Sequence, residues 1–311
     1  MGLILANEQT LAGKARCSGI GIHSGLPATV TLCSAPPGTG IRFKRTDVTH
    51  GIDEIPAEIE RVSGVALATK LSSEDHCVGT VEHLLAALHG LGVDNALIEI
   101  DGPEVPIMDG SALEFCSAIR SVGLVRQSSS RKILRILNTI EVGTSEKWAR
   151  LSPRLGNSLE LRAKIEFADD VIGAQEASFC LEKDDFESDL ATARTFGFAW
   201  EVDDLKQRGF ARGGSLENAI VIDKNGVANP EGLRFADEFV RHKLLDAIGD
   251  LYLVGARIAG RYEANQPGHK LNYELVSALL AQPDAWCIDF ETDENAMPVE
   301  LAGGSHIGAA V

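Results

Sequence analysis

His242 and Asp246 stand four residues apart in Phe239-Val-Arg-His-Lys-Leu-Leu-Asp-Ala-Ile-Gly-Asp-Leu251, where Val240, Leu244, Leu245, Ile248 and Leu251 recur at three- and four-residue steps. That period predicts an amphipathic helix over 239–251, and residues four apart on it project from one face. An imidazole and a carboxylate stacked in this way can hold one divalent metal, and the ligand types suit zinc. Asp250 continues the same row one turn further along. Taken alone, His-x-x-x-Asp is more simply explained by a partly buried histidine beside a solvated carboxylate.

A second stretch changes that balance. In Val81-Glu-His-Leu-Leu-Ala-Ala-Leu-His-Gly-Leu-Gly92, aligning His83 with His242 brings leucines, small residues and then Gly90 and Gly249 into register. After each copy comes a strand-like run (Ala96–Ile100, Ala256–Gly260), then a Gly/Pro turn (Asp101-Gly-Pro, Gln266-Pro-Gly), then a further helical pattern (Ser111–Ser121, Tyr273–Ala281). A repeat of about half the chain predicts two similar domains facing each other, with the histidine-bearing helices meeting at their interface. His83 then becomes a third metal ligand, leaving the open fourth position that catalytic zinc sites keep for water. Glu82 points about 100° away around the helix. There it can reach such a water as a general base rather than share the metal.

The chain's 311 residues are long for one domain, which agrees with a duplicated pair. A net charge of −16 argues against nucleic-acid binding and against a general attraction to anionic membranes. No apolar run is long enough to span a bilayer, and Met1–Glu8 lacks the basic flank and apolar core of a signal peptide. The six cysteines are far apart and form no Cys-x-x-Cys, so they are expected as unpaired thiols in a reducing cytoplasm.

The segments Thr80-Val-Glu-His-Leu84, Pro106-Ile-Met-Asp-Gly-Ser-Ala112, Arg194-Thr-Phe-Gly-Phe198 and His242–Asp250 resemble those of the zinc-dependent UDP-3-O-(3-hydroxyacyl)-N-acetylglucosamine deacetylases (LpxC), from about Gln9 to about residue 290. That family catalyses the committed step of lipid A synthesis in Gram-negative bacteria. The resemblance implies one zinc ion per chain on His83, His242 and Asp246, with Glu82 as the general base for a water at the metal. It implies that Thr195 helps stabilise the oxyanion and that Lys243 adds positive charge. His269, oriented by Asp250, would protonate the departing glucosamine nitrogen as acetate leaves. The implied partner is a small-molecule UDP-acyl-aminosugar. A cytoplasmic location follows, with at most transient proximity to a membrane and no obligate protein partner.

The same resemblance places Phe196, Lys147, Glu166 and Phe167 at the sugar and uridine, and Ala66 and Leu67 at the border of the metal site. An acyl passage is expected in the segment of about 198–226, lined by Val202, Ala211, Gly214, Ser215, Leu216, Ala219 and Val221. Each has a plainer explanation: core packing for Leu67 and Phe167, a strand-end hydroxyl for Thr195, and packing of the segment onto its domain. The diphosphate requires local cations against the acidic background, and Arg194, Arg241, Lys243, Arg261, Lys270 and Lys147 are the candidates. Gln266 stands where many relatives carry a basic residue.

The expected fold is α+β. Two similar domains, each with a mostly antiparallel sheet, sandwich a central layer of helices; this β-α-α-β layering comes from the resemblance. The first domain is 1–126, with a small β insertion at about 47–78; the second is 132–311, with the insertion at about 198–226. A hairpin is expected around Gly19–Gly25, with His23 beside its turn. Ser111 is read as a helix N-cap, and Asp109 as either a turn residue or a support for the site. The polar run 126–132 is read as the link between domains, followed by strands at 133–142, 148–151 and 159–167. His269 is placed in the turn after the second domain's strand. Two other functions stay open: a zinc amidohydrolase of this scaffold acting on another acyl-amide, and a catalytically inactive metal-binding homologue. The latter is disfavoured because a structural metal site needs neither Glu82 nor His269.

Overall fold

A computed structural model describes residues 6–49 and 54–291. The chain's first residues, on which the reading of no leader rested, lie partly outside that range, as do 50–53 of the first insertion and 292–311 of the second domain.

Alternation makes the sheets one-sided. In strand Pro27–Ser34 the side chains of Ala28, Val30 and Leu32 are buried, and in Leu159–Glu166 those of Leu159, Leu161, Ala163 and Ile165 are. The first sheet has the order Ala15–Ile20, Pro27–Ser34, Ala96–Ile100, Ile41–Arg45, Ile55–Pro56. The second repeats it as Ile140–Gly143, Trp148–Ser152, Arg257–Asn265, Leu159–Glu166, Ala174–Cys180. Strands Lys132–Ile136 and Trp286–Phe290 extend the second sheet beside the start of Arg257–Asn265. In both sheets the strand after the histidine helix is central, antiparallel to the hairpin and parallel to the next strand. The repeat seen in the sequence is thus a repeat of topology, and the fold is a two-domain α+β arrangement of mostly antiparallel sheets.

The helices are α1 (Glu82–Leu91), α2 (Leu113–Val122), α3 (Phe186–Asp189), α4 (Val202–Gln207), α5 (Glu238–Leu251) and α6 (His269–Leu280). α1 and α5 pack on each other in the middle of the molecule. α5 is not the amphipathic helix its spacing suggested. All of α1 except Gly90 is buried, and α5 leaves only Arg241 and Lys243 partly accessible. A helix packed against both a partner helix and its own sheet has no solvent face. The shared glycine of the repeat has a packing reason in each copy. A Cβ on Gly90 would lie 2.3 Å from the Phe186 ring, and one on Gly249 would lie 2.0 Å from the backbone oxygen of Glu82.

Both insertions are small sheets. The first joins Val62–Gly64, Lys70–Ser72 and Cys77–Val78; the second joins Phe196–Phe198, Ile220–Asp223 and Gly226–Val227, with α4 between its first two strands. Several boundaries differ from expectation. The polar run 126–132 is not an irregular link: strand Leu124–Ser130 pairs with Asn7–Leu11, and the next strand starts at Lys132. Backbone pairing tolerates polar side chains, so composition alone misjudged it. Residues 133–142 form two separate strands. Ser111 is not the formal N-cap of α2, which is Ala112, although its hydroxyl accepts the N–H of Leu113 at 3.2 Å. His269 is not in a turn but opens α6, four residues before the expected helical pattern.

Candidate active site

The packing of α1 on α5 places His83, His242 and Asp246 together, all buried, with one ligand atom of each within 4.8 Å of the others. The Oδ1 atom of Asp246 lies 3.2 Å from His242 Nε2 and 3.4 Å from His83 Nε2, and the two imidazole rings are nearly perpendicular with centroids 4.9 Å apart. Oδ1 is buried and accepts no hydrogen bond. A buried carboxylate oxygen left without a donor is costly unless a cation sits beside it. Two imidazole nitrogens aimed at the same point complete a set of three ligands of the kind that suits zinc. His242 Nδ1 lies 3.1 Å from the carbonyl of Ala193, which requires that nitrogen to donate and leaves the Nε2 lone pair free for a metal. His83 Nδ1 has no partner among the described residues. Burial lowers the pKa of His242 to about 3, so its ring is neutral at ordinary pH. The residues fit the metal.

Glu82 and His269 stand beside this group. Glu82 is buried, its Oε2 accepts the N–H of Thr69 at 3.0 Å, and its Oε1 lies 3.7 Å from His269 Nε2. Burial raises its pKa above that of an ordinary glutamate, which makes it a stronger base once ionised. His269 is the opposite case. Burial works against its charge, but the carboxylates of Asp250 and Glu82 outweigh that and raise its pKa to about 10. Asp250 Oδ2 accepts from His269 Nδ1 and from Asn272 Nδ2, both at 2.9 Å, and Oδ1 accepts from the Thr69 hydroxyl at 2.6 Å. Tyr262 in turn donates its hydroxyl to Asn272 at 2.7 Å. Asp250 thus bonds His269, Asn272 and Thr69 at once. Thr69 and Asn272 were not foreseen, since neither forms a spacing pattern with the residues it serves.

Lys243 Nζ lies 3.3 Å from Asp246 Oδ2 and 5.5 Å above the Phe196 ring, whose neighbours are Phe239, Phe167 and His242. Phe196 and Phe167 thus join an aromatic cluster that reaches the metal group, and both remain partly accessible. Thr195 follows Ala193 by two residues; its backbone is held by Gly110 and Ile220 at 2.8 Å each. Gln266 bonds the carbonyl of Glu166, and Asn265 that of Glu146. This brings Lys147, Glu166 and Phe167 to the loop that leads into His269. Leu67 is not core: it is 48% exposed with φ 66°. Asp109 is a turn residue paired with Arg234 at 2.9 Å and with Ser111.

Of the six candidate cations, four stand in ion pairs away from the ligand group. Arg194 is buried against Glu238 (2.9 Å) and Glu231 (2.6 Å), and Arg241 bonds Asp237 at 2.7 Å. Arg261 bonds Glu160 at 3.2 Å, and Lys270 lies 3.6 Å from Glu274. Lys243 is at the site, and Lys147 is exposed on its hairpin turn. The second insertion holds the expected passage residues, of which Val202, Ala211, Ala219 and Val221 are half-buried and Gly214, Ser215 and Leu216 exposed. A cavity of about 510 Å³ opens between the two insertions, lined by His23, Ser63, Ala66, Lys70, Phe210 and Arg212 among others. None of those seven residues lines it; their neighbours Gly209, Phe210 and Arg212 do.

A buried carboxylate and an imidazole flank a group of three residues that could hold a metal, on helices that follow the same sheet topology, and such a set suits hydrolysis. The chain belongs to the LpxC family, UDP-3-O-acyl N-acetylglycosamine deacetylase, whose model it matches over residues 8–281. It is 46% identical over 280 residues to the UDP-3-O-acyl-N-acetylglucosamine deacetylase of Myxococcus xanthus, covering 90% of this chain and 88% of that protein. The enzyme of the same name from Geobacter sp. is 46% identical over 281 residues, 90% of this chain and 91% of the relative. That of Shewanella halifaxensis is 42% identical over 297 residues, 95% and 96%.

Proposed function

We propose that this chain hydrolyses the N-acetyl amide of UDP-3-O-(3-hydroxyacyl)-N-acetylglucosamine, releasing acetate, with one zinc ion held by His83, His242 and Asp246. The observation that carries the reading is the pairing of Glu82 with His269 at 3.7 Å beside the ligand group. Their environments push the two groups toward opposite roles, and such pairs mark acid and base. When bound, zinc polarises the amide carbonyl and makes water acidic enough to ionise near neutral pH.

The chain's own residues supply the rest. Glu82, with Oε2 fixed by Thr69, presents Oε1 to take the proton of the attacking water. Thr195 offers a hydroxyl to the oxygen that becomes negative, and Lys243 contributes positive charge beside the tetrahedral species. His269, its Nδ1 held by Asp250, gives the Nε2 proton to the nitrogen that departs as the amine. Lys147, Glu166 and Phe167 receive the uridine, Phe196 borders the sugar, and Leu67 borders the metal site. Val202, Ala211, Gly214, Ser215, Leu216, Ala219 and Val221 line the acyl passage. We place the protein in the cytoplasm, on the pathway to lipid A, acting on a small molecule without an obligate protein partner. Among the described residues no helix is long and apolar enough to cross a membrane. The repeated sheet order supports dividing the chain into domains at about 1–126 and 132–311. The test is acetate release from the UDP-acyl-aminosugar together with metal analysis. A zinc-loaded protein that releases no acetate from this substrate overturns the reading.

A further inference from the structure

Among the described residues, five other than glycine hold positive φ: Leu67 (66°), Thr80 (55°), Met108 (56°), Ala211 (51°) and Gln266 (57°). Left-handed backbone is unfavourable for a residue with a Cβ, most of all a β-branched one, and persists where surrounding contacts over-determine it. Thr80 is the β-branched case, and it sits two residues before Glu82.

What holds Thr80 is Glu104, a carboxylate only 5% exposed. Its Oε1 accepts from the Thr80 hydroxyl at 2.8 Å and from the N–H of His23 at 2.9 Å; its Oε2 accepts from the N–H of Ser24 at 2.7 Å. The turn closes directly on the carboxylate, since a Cβ on Gly21 would lie 2.2 Å from Oε2. Backbone bonds on both sides, Gly79 N–H to Pro103 O at 2.9 Å and Val105 N–H to Gly79 O at 3.0 Å, fix the two chains against each other. The same turn seats the tip of the second insertion. The N–H groups of Gly213 and Arg212 reach the carbonyls of Ile22 (3.0 Å) and His23 (3.3 Å), and that of Ala211 reaches His23 Nδ1 (3.3 Å).

We propose that Glu104 is a positioning residue that couples the helix carrying Glu82 and His83 to the second insertion. Through it, an acyl chain seated in that insertion fixes where the amide stands relative to the base. The proposal rests on the acyl-amide substrate proposed above. Three donors meet two oxygens of one buried side chain, a pattern that only a carboxylate satisfies. In Glu104→Gln the new NH2 must face one of those donors, and the network opens. Energy from a remote acyl chain then still holds the substrate but no longer aligns it, and such a loss falls on kcat rather than KM.

The experiment compares kcat and KM for a long-chain substrate and a truncated acyl analogue in the zinc-loaded enzyme. In the wild type the long chain gives the higher kcat. In Glu104→Gln that kcat ratio falls about tenfold or more, the scale of one lost charge-assisted hydrogen bond. KM for the long chain and the zinc content stay near wild type. Thr80→Val, which puts a methyl group in place of the hydroxyl, lowers the ratio in the same way, and Thr80→Ser, which keeps a hydroxyl there, keeps the wild-type ratio; this pair carries the test if Glu104→Gln does not fold. General damage lowers kcat for both substrates alike, so an unchanged ratio in Glu104→Gln or in Thr80→Val overturns the coupling. So does a Thr80→Ser enzyme that behaves as Thr80→Val. A wild-type enzyme with no long-chain advantage overturns the acyl reading itself, and the coupling with it.

Discussion

Gly249 and Glu82 meet across the α1–α5 contact so closely that a Cβ at position 249 would sit 2.0 Å from the backbone oxygen of Glu82. The atom it would strike belongs to backbone, not to the end of a flexible side chain. The spacing of the two helices, and with it the distance from His83 to His242 and Asp246, depends on a hydrogen atom standing where a methyl group would be.

Gly249→Ala therefore forces the helices apart. Overpacking of this kind costs about 1–3 kcal/mol, and here the strain lands on Glu82, the proposed base. The expected result is a lower melting temperature, weaker zinc retention on dialysis against a chelator, and reduced kcat. Alanine ordinarily favours a helix over glycine, so a variant as stable and active as the wild type would mean that the two helices are not in this contact.

The candidate site was legible in the sequence because its residues lie at helical spacings. His242 and Asp246 are one turn apart, and His83 is found by superposing one half of the chain on the other. Gly90 and Gly249 were visible as repeated letters, but only the packing distances give them a reason. The support around the site was not legible. Thr69 donates its N–H to Glu82 and its hydroxyl to Asp250, 181 positions away. Asn272 and Glu104 likewise act through contacts that no local period encodes. Arg194 misled for a related reason: a charge in a family motif looks available for substrate until its buried partner Glu238 is placed beside it. Burial also erased the expected amphipathic character of α5, because a helix between two layers shows no polar face to count.

Removing any one metal ligand should be separable from removing the base. His83→Ala, His242→Ala and Asp246→Ala should each lose zinc by elemental analysis. Glu82→Ala should retain it and lose turnover by about 10²–10⁴-fold, the usual contribution of a general base. If Glu82→Ala turns over at the wild-type rate, proton removal is done by another group.

The pH profile follows from the two upward shifts. Glu82 must be ionised, so activity rises with pH along a limb displaced upward from 4.5, since burial raises that group. His269 must stay protonated, and with its pKa raised to about 10 the alkaline limb should lie well above the 6.5 of a free histidine. His269→Gln should slow the reaction and abolish the alkaline limb while leaving the acid one. The stability of the metal-free protein should carry the same signature. A raised imidazole pKa stabilises the fold fully below pH 6.5, and this contribution is lost as pH rises through about 10. An alkaline limb that survives in His269→Gln would assign it to a different group.

The acyl chain has two places to go: within the second insertion, or into the cavity of about 510 Å³ between the insertions. Gly214→Phe distinguishes them. Gly214 is exposed, and its first added atom would meet only Ala211 O at 3.5 Å and Ile22 Cγ1 at 4.0 Å, so the fold admits the substitution. The ring is then added beside Ala211 and Ile22, at a position that does not itself line the cavity. A buried methylene contributes roughly 0.8 kcal/mol, so excluding four of them should raise KM for a long-chain substrate by about two-hundredfold. A truncated analogue should be hardly affected, and zinc content should not change. Phe210→Ala, which widens the cavity instead, should then leave the long-chain KM near wild type. The reverse pattern, with Phe210→Ala damaging long-chain binding and Gly214→Phe harmless, would move the acyl site out of the insertion and into the space between the two.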